Sequence, residues 1–579
     1  MTLDDWQIRW REAWPEALSL WSPWLRLSNP IFVNQSQQAG ELGVEGVLAC
    51  FGIEDKSVKV NLPLLEKQGL IEFPLEVLAH EIGHHVLAPG NLLDHFKILA
   101  TVRMALPTLE AQSPWVANLW TDLVVNDRLQ RTSDLDLAQL YRKMEPSDSQ
   151  VWALYLRIYE RLWDLPQGSL AKIPDTVENR DVFEADAWLG SRTVRVYRDD
   201  PVTGSGRFAC LLFPWLVRDK ETSQANAQLW LDAKSAATGA SIPAGIGSLD
   251  PQQPIHPSRD FRVCPSEEAG DGIPKASAPP IGGQTLVPWE IGELLRLGGL
   301  NVSDAEVAAS WYREKALQHL VHPPSRKMPT SPDPLPEGLD PWEMGDPLER
   351  LDIFQSLLRS PRLVPGITTV ARHWGEQPSS VEHLEPIDLD LYVDSSGSMP
   401  DPVRTVSHLA LAGAIVALSA LRRGAGVQVT LWSGKGQCLR TPGFVRDERD
   451  ILSVLCSHFG GSTTFPLHAL RKTWLETPHR RRAHILHISD DGLSTLFDPD
   501  ERGTSGETLA ANSLEAAGGG GTMALQLGAW ALAHQETTSF LAKARDQGWA
   551  IHPISDWESL MDFAREFSRA QVRDAKVVK

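Results

Sequence analysis

The chain reads as a multidomain protein of mixed α+β and α/β class. A mostly helical N-terminal domain is expected, followed by a C-terminal parallel sheet with helices on both faces. Three observations predict this. The 579 residues allow three or four domains at about 150 residues each. The first 170 residues are rich in apolar positions at helical spacing. From about residue 380, short apolar strand candidates alternate with long apolar helical segments, the pattern of an open, mostly parallel sheet.

Composition narrows the function classes. Hydrophobic residues make up 42% and charged residues 22%, which excludes wholesale disorder and a fibrous repeat. The balance of 55 basic against 74 acidic residues gives a net charge of −19. Nucleic acids and anionic membranes need a basic surface, so neither is an expected partner. Cys50, Cys210, Cys264, Cys438 and Cys456 are scattered without a CxxC pair. They form neither a disulfide framework nor a thiolate zinc site, and they fit a reducing cytoplasm. The opening MTLDDWQIRWREAW lacks a basic start and an apolar core, and the longest uncharged apolar stretch, Thr405–Leu421, is short for a bilayer span. A cytoplasmic chain with no membrane span is expected. The excess of 21 Trp over 6 Tyr has no explanation at this level.

Punctuation divides the chain into zones 1–170, 171–300, 301–380 and 381–579. The second contains Ser235–Pro288, dense in Gly, Pro, Ser and Ala, which reads as a long loop or linker. In the third, Ser303 and Glu306 form a capping-box pattern ahead of a helix over Ala305–Leu320. Eight prolines between Pro323 and Pro347 then exclude regular helix and central strand. In the fourth, Asp388–Val393, Val427–Trp432, Ala483–Ile488 and Trp549–Ile554 are strand candidates, with helical segments at Pro402–Leu421 and Thr522–Gln547. Gly518–Gly521 reads as a flexible loop before the second of these helices, because no Lys-Ser/Thr follows to make a phosphate loop.

The first candidate site lies in Phe73–Leu87, FPLEVLAHEIGHHVL. Pro74 suits the first helical position and Pro89-Gly90 ends the helix. Leu75, Leu78, Ile82 and Val86 make a core stripe at helical spacing. His80 and His84, four apart, project from another face, where two imidazoles can hold one Zn²⁺. Glu81 then lies where a carboxylate can serve as general base. Catalytic zinc needs a third protein ligand. The metzincin pattern would put Gly and His at the positions of Leu87 and Gly90, so that class is excluded. Metallopeptidases of the gluzincin type take an acidic ligand from a later helix, and Trp115–Arg131 carries Asp122, the preferred third ligand, with Asn126 or Asp127 as its hydrogen-bonding support. His85, Asp94, His95 and Glu110 are the competitors. Upstream, Val47–Ile53 and Val58–Leu64 read as a hairpin whose edge could hold an extended peptide.

The second candidate site begins at Asp394, at the end of a strand candidate. With Ser396 and Ser398 it makes a DxSxS pattern, and Gly397 permits a tight turn. A carboxylate and two hydroxyls supply part of the oxygen shell of a hard cation. On these residues zone 381–579 resembles a von Willebrand factor A domain with a metal-ion-dependent adhesion site. The resemblance implies a Thr after a glycine pair, here Thr463 in preference to Thr464, and an Asp after a later strand. Asp490 (by strand position) and Asp491 (by adjacency to Gly492) both remain open for that role. The cation would be Mg²⁺, or Mn²⁺ or Ca²⁺.

An HExxH segment ahead of such a domain, with Trp311–Ala316 (WYREKA) between, is similar to a group of bacterial putative metallopeptidases associated with MoxR-type AAA+ ATPases. The resemblance implies a zincin-like N-terminal domain and an ATPase partner. The leading expectation is a zinc-dependent peptidase acting on a protein or peptide. The alternative is a non-catalytic adaptor of an AAA+ remodelling or metal-insertion chaperone system.

Overall fold

In the computed structural model, Leu3–Trp21 forms helix α1, opened by a reciprocal capping box between Thr2 and Asp5. Trp6, Trp10 and Trp14, spaced by four, bury one face of it. Part of the tryptophan excess therefore serves as the core stripe of a single helix. The structure describes residues 2–569, apart from 43, 145–146, 220–239, 252, 266–285, 322–324, 328–331, 379–383, 478, 480 and 529–532. The chain divides into two units, Met1–Gln318 with Pro400–Ser407, and His319–Met399 with His408–Lys579. The division falls inside the third sequence zone, so zone 171–300 belongs to the first unit. No helix among the described residues is long and apolar enough to cross a membrane.

In the first unit, strands β1 (Ile31–Val33), β2 (Ala49–Gly52) and β3 (Ser57–Asn61) form a sheet of order β1-β3-β2. The expected hairpin is β2 and β3, paired antiparallel, with β2 at the edge. Helices α2 (Pro74–Val86), α3 (Leu92–Ala105), α4 (Ser113–Thr132), α5 (Leu137–Lys143) and α6 (Gln150–Leu162) follow. Leu78, Ala79 and Ile82 of α2 share a core with Trp10 and Trp14 of α1 and Val125 of α4. Val86, expected in the core stripe, is 43% exposed, at the last residue of the helix. Helices α7 (Arg180–Tyr197), α8 (Pro201–Arg218), α9 (Pro288–Leu297) and α10 (Asp304–Leu317) complete the unit, and the Ser303–Glu306 capping box is present. The segment read as a linker lies partly outside the described residues. Its described part holds only short turns at Ile246–Ser248 and Pro257–Arg259.

In the second unit, the proline-rich stretch gives β4 (Ser325–Lys327) and β5 (Pro332–Pro341). Helix α11 (Ile353–Arg359) and strands β6 (Val370–Pro378) and β7 (Leu384–Pro386) follow. Among the described residues β5 pairs only with β6, and β4 only with β7, so Pro332, Pro334, Pro336 and Pro341 sit in a two-stranded ribbon and not in a central strand. The main elements are β8 (Asp388–Asp394), α12 (His408–Arg422), β9 (Val427–Trp432), β10 (Cys438–Arg440) and α13 (Glu448–Leu455). They continue with β11 (Ala483–Asp490), α14 (Gly506–Ala517), β12 (Gly518–Gln526), α15 (Gln535–Asp546), β13 (Trp549–Pro553) and α16 (Trp557–Arg569). The sheet order is β10-β9-β8-β11-β12-β13, with every pair parallel except β10–β9. Alternating residues of β8 face opposite layers. Leu391 packs near Gly413 of α12, while Tyr392 shares a core with Leu509 and Ala510 of α14.

One expectation fails here. Gly518–Gly521 and Thr522–Gln526 are strand β12, not loop and helix. The glycines are required by close approach between parallel strands. A Cβ on Gly519 would stand 2.3 Å from the Ala483 carbonyl oxygen, and one on Gly521 would stand 2.5 Å from the Trp549 ring. Thr522–Leu525 is then buried between β11 and β13.

His487 on β11 is fully buried among Tyr392, Phe465 and Trp549, with neither ring nitrogen hydrogen-bonded. Burial pushes its pKa down to about 3. The unfolded chain therefore gains a proton at His487 near pH 6.5 that the folded chain refuses until about pH 3, so stability falls as pH drops through that window. His487→Phe is expected to remove this loss, a gain of about 2 kcal/mol at pH 5 that vanishes above pH 7. Denaturant titrations of both proteins across pH 4–8 check it, and parallel curves would refute it.

Candidate metal centres

Helix α2 presents His80, Glu81 and His84 toward α4, and Asp122 of α4 meets them. His80 Nε2 lies 3.2 Å from His84 Nε2. Asp122 Oδ1 lies 3.6 Å from the first and 3.4 Å from the second. A tetrahedron with arms of about 2.0–2.1 Å has edges near 3.3 Å, so the three atoms stand at the spacing of three corners around a zinc-sized ion. Among the described residues they are the one group of three or more His, Cys, Asp or Glu side chains at metal-binding distance.

The surroundings fix which atoms are free. His84 Nδ1 lies 2.8 Å from the Ala88 carbonyl, which can only accept, so His84 donates there and turns its Nε2 toward Asp122. His80 Nδ1 meets Asn126 Oδ1 at 2.7 Å. The Asn126 amide donates to Tyr141 and Tyr159 at 3.0 and 2.9 Å, which sets its oxygen toward His80. Asp122 Oδ2 accepts from Asn118 at 3.2 Å, while the buried Oδ1 has no hydrogen bond. Two imidazole Nε2 atoms and a carboxylate oxygen thus converge, a donor set that a cation can hold once His84 gives up its proton.

Glu81 is 2% exposed, and burial raises its pKa to about 7, against a hydrogen bond from the Phe51 N–H of edge strand β2. Its Oε2 has no partner. Burial opposes a charged His84, yet Asp122, helped by Glu81 and the Ala88 carbonyl, outweighs it and pushes the pKa up to about 9. Burial holds His80 below its usual value. The group opens on a cleft bounded by Leu48 and by Ala49 of β2, and by apolar Leu70, Val77 and Leu140.

Two expectations are corrected. Asn126 supports His80 and not Asp122, whose support is Asn118 one turn earlier. Asp127 is outside the site, because one helical step rotates it to an ion pair with Arg131 at 2.7 Å. The competitors are placed elsewhere. His85 stacks on Phe51, Asp94 sits in the first turn of α3, and Glu110 pairs with Arg103. His95 is buried with its Nε2 unpaired and its pKa lowered to about 4 by burial, then by His84.

The second group lies at the carboxyl ends of neighbouring β8 and β11. Asp394 Oδ1 accepts from the Ser396 N–H at 2.8 Å, and its Oδ2 accepts from Ser489 at 2.6 Å. Ser396 and Ser398 hydroxyls are 3.1 Å apart, and Ser398 donates to Asp490 at 2.5 Å. Asp490 also caps the Gly492 N–H at 2.8 Å. The Thr463 methyl abuts this turn, 2.5 Å from where a Gly492 Cβ would stand. The Gly397 N–H bonds to the Gly461 carbonyl at 2.8 Å, which ties the two loops together. Between the two open aspartates, the hydrogen bond from Ser398 favours Asp490, and Asp491 begins the following 3₁₀ turn. Burial raises the Asp394 pKa, and the nearby Asp490 charge adds to this. Buried Asp394 and Ser396, next to the exposed Ser398 and half-buried Asp490, offer hard oxygens to a cation.

Asn118, Tyr141, Tyr159 and Ser489 escaped the sequence reading. Asn118, one helical turn before Asp122, was the one with a spacing signal. Scans of the chain against protein-family models, characterised proteins and solved structures return no match.

Proposed function

We propose that the chain is a zinc-dependent peptidase whose second unit docks a protein partner through a divalent cation. The observation that carries the reading is the placement of His80, His84 and Asp122 at tetrahedral spacing with Glu81 beside them in an open cleft. A zinc ion held there would act as a Lewis acid on the scissile carbonyl. Glu81 takes the proton of the attacking water and passes it to the leaving amine. Edge strand β2 offers its open side to an extended peptide by strand addition. In this reading the first unit is zincin-like. The second is a von Willebrand A domain in which Asp394, Ser396, Ser398, Thr463 and Asp490 hold Mg²⁺, Mn²⁺ or Ca²⁺, and the partner is a MoxR-type AAA+ ATPase.

The test pairs metal analysis with proteolysis on wild type and Glu81→Gln. Absence of zinc, or unchanged cleavage by the variant, rejects the reading. The support around His80 gives an independent check. Asn126→Ala strands the His80 Nδ1, while Tyr141 and Tyr159 keep each other, and zinc affinity is expected to fall about 10–100-fold in chelator competition.

The Ser398–Asp490 cluster favours a second reading, an adaptor that binds its partner without cleaving anything. An adaptor keeps its role with Glu81→Gln and loses partner binding with Asp394→Ala, whereas the peptidase loses its role with either.

A further inference from the structure

The segment 335–374 of the second unit is folded inside out. Helix α11 buries Ser356, whose hydroxyl donates to the Asp352 carbonyl at 2.7 Å and accepts the Val370 N–H at 2.9 Å. Its apolar residues Ile353, Phe354, Leu357 and Leu358 face outward, with Phe354 68% and Leu358 67% exposed. Leu348 and Ile367, on the flanking loops, are also exposed. The segment's described buried residues are only Trp342, Ser356, Thr369 and Val370. A two-stranded ribbon with so small a core is marginal alone, and a helix that exposes four large apolar side chains marks an interface.

Charge identifies the occupant. Glu343, Asp346 and Glu349 precede the helix and outnumber the one basic residue there, Arg350, Asp352 being ion-paired with Arg372, while Arg359 and Arg362 stand at and after its C-terminal end. The arm is acidic at one end of its apolar helix and basic at the other. Laid antiparallel against an identical arm, each acidic end meets a basic end, and the two apolar faces close on each other. This is the self-complementarity a two-fold interface requires. We propose that the 335–374 arm is a dimerisation surface and that its partner is the same arm of a second copy of this chain. The inference is independent of the peptidase reading.

Sedimentation velocity on the full chain at micromolar concentration tests it. Wild type is expected to be a dimer. Phe354→Glu with Leu358→Glu is expected to weaken self-association ~100-fold and to melt as wild type does when diluted to monomer. Glu343→Arg with Asp346→Arg, and separately Arg359→Glu with Arg362→Glu, are each expected to weaken it. The four changes together restore it. Four results would overturn the proposal. They are a monomeric wild type, a dimer that survives the Phe354/Leu358 pair, no rescue by the fourfold charge swap, and a melting temperature for the apolar pair below that of diluted, monomeric wild type, which would mean the chain's own residues cover the face. Phosphatidylserine vesicles that bind a monomeric wild type, but not that pair, would assign the face to lipid instead.

Discussion

Glu81→Gln is expected to lower peptide hydrolysis by about 10²–10⁴-fold while zinc stays bound. The two effects separate because Glu81 is not one of the three ligand residues. Gln keeps the shape of the side chain and can still accept the Phe51 N–H through its amide oxygen, so β2 and α2 stay together. What it loses is the ability to take a proton. Burial places the Glu81 pKa at about 7, far closer to working pH than an exposed carboxylate, which makes the conjugate base stronger. The rate is expected to fall as the pH drops and the carboxyl protonates. A bound dication favours the charged form, so this acid limb lies below pH 7. A pH–rate profile on the zinc-loaded enzyme, with metal content measured on the same samples, checks both parts. A variant with wild-type activity would remove Glu81 from the chemistry.

Gly83→Val is expected to cost about 1–3 kcal/mol of stability and to scatter the zinc site. Gly83 lies between the two histidines where α2 crosses α4 and α1. A Cβ there would stand 2.3 Å from Val125 Cγ1 and 2.7 Å from the Trp21 ring. Neither neighbour yields easily. Val125 is fully buried and stiff at χ1, and Trp21 is anchored by its indole N–H on the Ala79 carbonyl at 2.7 Å. The helices must separate, and Asp122, three residues before Val125 on α4, moves away from the imidazoles. Helix propensity opposes this result, since a side chain in place of glycine favours the helix by up to about 1 kcal/mol. A net loss therefore isolates the packing. Gly83→Ala is expected to give a smaller loss with the same sign in metal affinity. Denaturant melts and zinc titration of both variants decide it, and an unperturbed zinc site would contradict the account.

What was legible in the sequence follows from range. His80, Glu81 and His84 share one helix, so their spacing and the flanking Pro74 and Pro89 placed them before any fold was known. Ser303 and Glu306 were readable for the same reason. Asp122 could be preferred, but its support was sought at Asn126 or Asp127 and Asn118 was passed over, because helical phase alone does not say which face meets α2. Tyr141 and Tyr159 act across α4, α5 and α6, and no local pattern joins them to His80. β12 was hidden because glycine weakens every local strand signal, and only the crowding of Ala483 and Trp549 explains it. The 335–374 arm looked like a linker because proline density conceals how many apolar side chains it displays.

The central claim is that His80, His84 and Asp122 hold a zinc ion, and X-ray absorption at the zinc edge of the purified chain tests it most directly. The account predicts one zinc per first unit, with two imidazole nitrogens at about 2.0–2.1 Å and an oxygen shell at about 2.0–2.2 Å. It also predicts that Asp122→Ala loses the carboxylate contribution and most of the metal. A chain without zinc, or a spectrum containing sulfur ligands, would contradict it.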